Sequence, residues 1–489
     1  MTSPASVARW SVRVNAEIAR PVPRTAEAGR VAAMFGLADG RTETLYDDFA
    51  LDVAPGEIVA VTGPSGAGKT VLLRAVGRQV PGARWLRTAE LARASKSPVE
   101  LLDGGSLAER LEVLARCGLA EAATLITRAR HLSGGQVARL ALAEALHAAM
   151  RSPRAPLVIA DEFAAGLDPT TARLLCGRVR GLVAGSSVGL VAATPRSDLV
   201  RHLQPDRIIV KPLGGPARVI SSPAGSARRQ RSRFRVRRGT IHDYRELGGF
   251  HYLAGPPAAH KRVYVVRPPG RSRMPRWRRE TLPAVAAVLV VSPPLPNVRG
   301  RNRATAGRYV GPDRTTALQM LNEEVETISR VIVHPIFRGC GLATRLVRHA
   351  LATAETPLVE ALAAMGRLHP FLQRAGMTPT PVPPSQAVAR LLSAAEAVGL
   401  APLELAAVGP AKALLARRSR RAAFLRAELE RFIDAELTCD QLARLADPVS
   451  EACRRTARRY VYYLFDKTKP VVSRFGQGRD GRGREKAIY

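Results

Sequence analysis

The segment Gly63-Pro64-Ser65-Gly66-Ala67-Gly68-Lys69-Thr70 carries the first residues whose types and spacing could do chemistry. It fits G-x-x-x-x-G-K-[ST], a loop whose backbone N–H groups wrap the phosphates of a nucleotide while the lysine reaches the β- and γ-phosphates. Gly63, Gly66 and Gly68 permit the backbone conformations that turn several amides inward, with Ser65 among them. Thr70 is expected to ligate Mg²⁺ through its hydroxyl, and Asp161 to hold the same ion's shell. Glu162 would then sit beside the γ-phosphate, where a carboxylate can orient and deprotonate an attacking water.

Those roles require particular elements. Glu57–Val61 reads as a buried strand feeding the glycine loop, and Val71–Val76 as the helix leaving it, whose N-terminus adds its positive dipole end. The apolar run Leu157-Val158-Ile159-Ala160 reads as a second strand that delivers Asp161 and Glu162. Leu132-Ser133-Gly134-Gly135-Gln136 lies between the two. The predicted outcome is an ATP-binding site that hydrolyses its ligand.

The order of glycine loop, L-S-G-G-Q, strand with Asp-Glu, and Gly166-Leu167-Asp168 resembles an ATP-binding-cassette (ABC) ATPase domain over residues 25–215. The resemblance implies that Ser133, Gly134, Gly135 and Gln136 contact ATP held by a second copy, and it places Asp168 at the nucleotide site too. One loop and one signature per chain then imply a homodimer with ATP at the joint. Three departures stand out. The family's glutamine about forty residues after the lysine is absent, with Gln79 far too early. The stretch from Thr70 to Leu132 is short, so the helical subdomain is expected to be trimmed. Thr194 is followed by Pro195 rather than histidine, with His202 a weak substitute. Phe35 or Tyr46 could stack on adenine or belong to the core.

At 489 residues the chain has room for two or three domains. A formal net charge of +34 attracts polyanions, nucleic acid first and anionic membrane second. Five scattered cysteines without C-x-x-C spacing argue against a zinc site or a disulfide framework. No run reaches the length of a membrane span and no apolar signal core opens the chain, so a cytoplasmic protein without a membrane partner is expected. Two basic stretches contain aromatics suited to gripping phosphates or stacking: Arg228–Arg238 around Phe234, and Arg271–Arg279 around Trp277.

The second half has its own constellation. Ala284–Val291 reads as a central strand, Ile328–Pro335 as another, and Thr344–Leu351 as a helix. Between the last two, Arg338-Gly339-Cys340-Gly341-Leu342-Ala343 offers small residues and free amides at a helix start, a seat for a pyrophosphate. With His369–Met377 after it, this half resembles the GNAT family of N-acetyltransferases over residues 233–380. The resemblance implies acetyl-CoA or another acyl-CoA bound by the amides from Arg338 to Ala343, including Gly339 and Gly341. The family's tyrosine four residues before Gly376 is replaced by Leu372. Glu323, Glu324 and Glu326 are candidate bases, His251 and Tyr252 could face the acceptor, and His369 could serve as acid.

The expected fold is therefore α/β: a P-loop ABC ATPase domain, an α+β GNAT acyltransferase domain, and a helical, basic C-terminal tail. An extension at 1–24, a basic linker at 216–232 and a helical region at 381–489 complete the division. The end of that region, Arg454–Tyr463, is expected to be a tail helix on nucleic acid or a cap on the second domain, and Ser473–Arg484 to be disordered. An ABC ATPase fused to a GNAT domain, with F-H-Y near the GNAT start, resembles a small group of ATPase–acetyltransferase fusions, and more distantly a phage type of DNA-adenine modifier. The leading expectation is an ATPase coupled to acylation on or with nucleic acid. The alternatives are a transporter's ATP-binding subunit with an appended domain, and an ATP-driven nucleic-acid clamp.

Overall fold

The computed structural model describes residues 9–19, 25–34, 42–153, 157–221, 234–251, 257, 259–269, 283–311, 313–366, 368–443, 445–457 and 460–469. Phe35, Tyr252, most of the Arg228–Arg238 run, the Trp277 patch and Ser473–Arg484 lie outside them. Contacts divide the chain into two units. The first comprises Met1–Arg235, Arg267–Ala286 and Val333–Leu342; the second comprises Val236–Val266, Ala287–Ile332 and Ala343–Tyr489.

In the first unit, β1 (Trp10–Ala19) pairs antiparallel with β2 (Thr42–Val53). Val12, Val14, Leu51 and Val53 are buried on one face of this ribbon, as alternation dictates. β1 thus belongs to the first unit, which corrects the reading of residues 1–24 as an extension. The main sheet contains β3 (Ile58–Thr62), β4 (Arg84–Trp85), β5 (Leu157–Ala160), β6 (Gly189–Thr194), β7 (Arg207–Val210) and β8 (Arg218–Ser221). Their order is β4-β5-β6-β3-β7-β8, parallel except for β8 against β7. β3, β5 and β6 are apolar almost throughout because helices cover both faces of a parallel sheet. β8 falls inside the stretch expected to be linker. Its pairing with β7 makes it part of this unit, so a linker can begin only after it.

Four helices matter to the site: α1 (Lys69–Gln79), α2 (Gly134–Met150), α3 (Pro169–Ala184) and α4 (Ser197–Leu203). Between Trp85 and Leu132 the described helices are short, the longest being Leu107–Arg116.

The second unit is built on a sheet of β9 (Val236–Arg238), β10 (Arg262–Val266), β11 (Ala287–Ser292), β12 (Val325–Val333), β13 (Leu358–Ala363), β14 (Thr378–Pro381) and β15 (Val461–Asp466). The order is β14-β15-β13-β12-β11-β10-β9. β12 and β13 are parallel, paired from Val325–Leu358 to Ile328–Ala361, although β12 continues to Val333. The helix after β12, α5, runs Leu342–Ala352. Helices α6 (Gln386–Ala397), α7 (Arg420–Glu436) and α8 (Pro448–Ala457) pack Leu391, Leu425, Leu429, Phe432 and Cys453 into a separate core.

The C-terminal region therefore differs from an all-helical tail. α8 ends at Ala457, and β15 enters the sheet between β13 and β14, antiparallel to both. Val461, Tyr462 and Tyr463 are buried there, so the Arg454–Tyr463 stretch is not one helix and the boundary at residue 380 does not hold.

Candidate functional site: a phosphate loop between strand tips

β3 ends at Thr62 and the glycine loop follows. Gly63, Gly66 and Gly68 take φ of 150°, 79° and 97°, conformations that L side chains rarely adopt. At Gly63 a Cβ would also overlap the carbonyl oxygen of Lys211. Ser65 is exposed at the loop's crest. Lys69 opens α1 and its Nζ donates to the carbonyls of Gly63 (2.9 Å) and Pro64 (2.7 Å). Reaching a β/γ-phosphate requires it to exchange those bonds for phosphate oxygens.

Thr70 Oγ1 donates to Asp161 Oδ2 at 2.7 Å. The hydroxyl and the carboxylate, from a helix start and a strand tip, thus converge on one point. Hard oxygens in that pairing suit Mg²⁺. Asp161 Oδ1 accepts from the amide of Glu162 at 3.0 Å. Glu162 is exposed and held at φ 49°, an unusual value for a non-glycine residue. The next amide, of Phe163, donates to Ala193 O at 2.7 Å and fastens this turn to β6.

Ser133 caps α2 in a reciprocal box: the Gln136 amide donates to Ser133 Oγ at 3.4 Å, and Gln136 Oε1 accepts from the Ser133 amide at 2.9 Å. Gln136 Nε2 reaches Thr124 at 3.4 Å, so its side chain serves the helix start. Ser133 and Gly134 are exposed, whereas a Cβ on Gly135 would meet Leu167 at 3.2 Å. Asp168 behaves differently from the expected nucleotide contact. Its Oδ1 caps α3, accepting from the amides of Thr170 (2.9 Å) and Thr171 (3.0 Å). Burial opposes the charge, yet the bonds from Thr171 and Thr170 hold the carboxyl below its usual range.

Gln79 and Tyr46 are structural. Gln79 brackets Arg13 of β1, its Nε2 donating to the carbonyl (2.7 Å) and its Oε1 accepting from the amide (3.1 Å). Tyr46 is buried and its hydroxyl donates to Gly68 O at 3.2 Å; burial pushes its pKa up to about 12. Over its ring, at 5.4 Å, lies Nζ of the buried Lys211, a neighbour that sequence reasoning did not find. His202 sits on α4 with Arg173, Asp198 and Arg201 as charged neighbours, and burial lowers its pKa.

Of the expected acyl-transfer residues, Glu324 is a poor base. Its carboxylate accepts from Arg308 at 2.7 and 2.9 Å and from the Tyr309 hydroxyl at 2.7 Å. The Arg308 bonds hold it well below the usual carboxylate range, leaving little affinity for a proton. Glu326 is buried against Arg262, and burial pushes its pKa up despite that cation. His251 follows the turn Gly248–Phe250 and His369 precedes the helix Phe371–Ala375; Leu372 is buried. Gly339 and Gly341 take φ of 80° and 74°, both exposed, and Ala343 lies in the first turn of α5. The guanidinium of Arg338 is engaged by the carbonyls of Val333 (3.0 Å) and Ala120, and its amide donates to Pro335 O at 3.2 Å, so both are already engaged within the protein.

A phosphate loop, a threonine–aspartate pair and an adjacent glutamate at the C-terminal tips of a parallel sheet define an ATP-binding and ATP-hydrolysing P-loop protein. Residues 46–95 match the family described as ABC transporter. The aliphatic sulfonates import ATP-binding protein SsuB 3 of Paraburkholderia xenovorans is 35% identical over 179 residues, covering 34% of this chain and 70% of that protein. The lipoprotein-releasing system ATP-binding protein LolD 1 of Rhodospirillum rubrum is 32% identical over 196 residues, covering 32% of this chain and 83% of that protein. The chain belongs to the ABC family of ATP-binding proteins, whose ligands are ATP and Mg²⁺. A solved dimeric ATP-binding cassette in a post-hydrolysis state, bound to ADP and Pi, aligns at a TM-score of 0.32 with 18% identity, over 43% of this chain and 98% of that one. Among the described residues no helix is long and apolar enough to cross a membrane.

Proposed function

We propose that this chain is the ATP-hydrolysing subunit of a larger ABC assembly, its cassette powering work that the second unit assists. The observation that carries this is the convergence of Thr70 and Asp161 at 2.7 Å with Glu162 adjacent, at the mouth of the glycine loop. Thr70 and Asp161 are the residues to hold Mg²⁺, which when bound neutralises phosphate charge. Glu162 takes the proton of the attacking water, the loop amides and Lys69 orient the phosphates, and Ser133 and Gly134 present an exposed signature to a second copy. The relatives named for sulfonate import and lipoprotein release support a transport partner. Lys69→Ala should abolish ATP binding and turnover in the full chain; turnover that survives this change refutes the assignment.

One feature of the second unit favours a second reading, an acyl-CoA-dependent N-acyltransferase carried on the same chain. β12 outruns its pairing with β13 after Ile328, leaving backbone groups along which an extended, amide-bearing thioester arm can lie. The excess of positive charge supports nucleic acid as the acceptor. Glu324 is set aside as a proton-transfer group, because Arg308 and Tyr309 engage it. Acetyl-CoA should raise the melting temperature, and Gly341→Glu should remove that shift. An unchanged melting temperature in wild type with saturating acetyl-CoA removes the acyltransferase and leaves the ATPase standing.

A further inference from the structure

β6 runs between β5 and β3, parallel to both, with Thr194 in register with Thr62 and Ala192 with Ala160. Its tip therefore emerges between the glycine loop and the Asp161–Glu162 pair. The residue that leaves this tip with a charge is Arg196. Its amide donates to Thr194 Oγ1 at 3.3 Å, which fixes the turn that follows β6. Nη1 donates to the carbonyl of Leu167 at 3.0 Å, while Nε and Nη2 donate to Asp198 at 3.3 and 3.0 Å. The guanidinium thus touches the segment that follows Glu162 and leads to Asp168 and α3. Phe163, whose amide donates to Ala193 O, also ties that segment to β6.

We propose that Arg196 is the γ-phosphate contact of this ATPase, exchanging its two Asp198 bonds for γ-phosphoryl oxygens while keeping the Leu167 carbonyl. Asp198 is a replaceable partner, because its side chain is 51% exposed and a solvated ion pair contributes little. A guanidinium presents a planar fork that matches two phosphate oxygens, which a lysine cannot do. In the hydrolytic step the water oxygen bonds to the γ-phosphorus as the bond from that atom to the β,γ-bridging oxygen breaks. The proton of the water passes to Glu162, ADP leaves with the electron pair, and Arg196 faces the charge spread over the γ-oxygens. Because Leu167 shares this guanidinium, phosphate occupancy also sets the position of Ala165–Asp168.

The proposal rests on the ATPase reading and is tested with the full chain, Mg²⁺-ATP and orthovanadate. Arg196→Ala should lower kcat about 10²-fold and abolish ADP–vanadate trapping, while the Kd for ATP moves less than about threefold. Arg196→Lys should recover only part of the rate. Asp198→Asn should leave kcat unchanged or raise it, because it frees the guanidinium. If Arg196 only braces the loop, Asp198→Asn would lose rate as Arg196→Ala does, and that result overturns the proposal. Turnover by Arg196→Ala within about threefold of wild type overturns it equally. A wild-type chain without any ATP turnover would overturn the ATPase reading along with it.

Discussion

Glu162 is the residue on which turnover turns. Its backbone is left-handed and its side chain exposed, and its amide donates a hydrogen bond to Asp161 Oδ1. Glu162→Gln keeps the shape and removes the base, so single-turnover kcat should fall about 10²- to 10³-fold while ATP still binds. An undiminished rate would assign the base elsewhere. Gly63 makes a different demand: a side chain there meets both a φ of 150° and the Lys211 carbonyl, so Gly63→Ala should weaken ATP binding and lower the melting temperature together. Glu324 supplies a pH test. Arg308 and Tyr309 depress its pKa below the ordinary 4.5, so its stabilising contribution is full above that value. That contribution is lost as pH falls through the lower, folded value. Melting temperatures of wild type and Glu324→Gln should therefore differ at pH 7 and converge only as pH falls through the depressed value. Curves that stay parallel into acid would dissociate the ion pair from stability.

At the scale of elements, the buried Glu360 of β13 collects four donors from three other elements. Arg301 reaches it with two bonds of 2.9 Å, Thr327 of β12 with one of 2.8 Å, and Tyr462 of β15 with one of 2.9 Å. Both members of the ion pair are fully buried, so removing one strands the other. Glu360→Leu should cost about 3–5 kcal/mol in urea unfolding, and adding Arg301→Met should recover most of it. A double variant no more stable than the single would show that the pair stabilises beyond its own charges. This network marks where sequence reading stops. The glycine loop was legible because its backbone demands glycine at fixed spacing, and β3, β5 and β6 because a doubly covered strand must be apolar. β15 was not: Tyr460–Tyr463 directly follows a basic helix, and its partners lie nearly a hundred residues upstream. β1 was missed for the same reason, its alternation being meaningful only against β2. Arg196 sits outside any motif, and only the register of β6 with β3 reveals where its strand tip emerges.

Over the whole molecule, the proposed pairing implies that one glycine loop and one signature per chain leave each ATP site half-built. Lys69 and Thr70 stand at the head of α1, whereas Ser133 and Gly134 stand exposed at the head of α2, with the latter's cap already satisfied by Gln136. An isologous pair of chains would place each signature against the other's loop. Glu162→Gln with ATP should therefore double the mass seen by light scattering, and Ser133→Arg should block the doubling without weakening ATP binding. A mixing experiment is sharper. Lys69→Ala destroys the loop of one chain and Ser133→Arg the signature of another, so each homodimer has no working site. Neither variant pairs with itself, so any dimer that forms in an equimolar mixture is mixed and keeps one site made of an intact loop and an intact signature. The mixture should then recover turnover that neither variant shows alone. If it stays inactive, or if Ser133→Arg alone turns over ATP normally, the two chains do not share their sites.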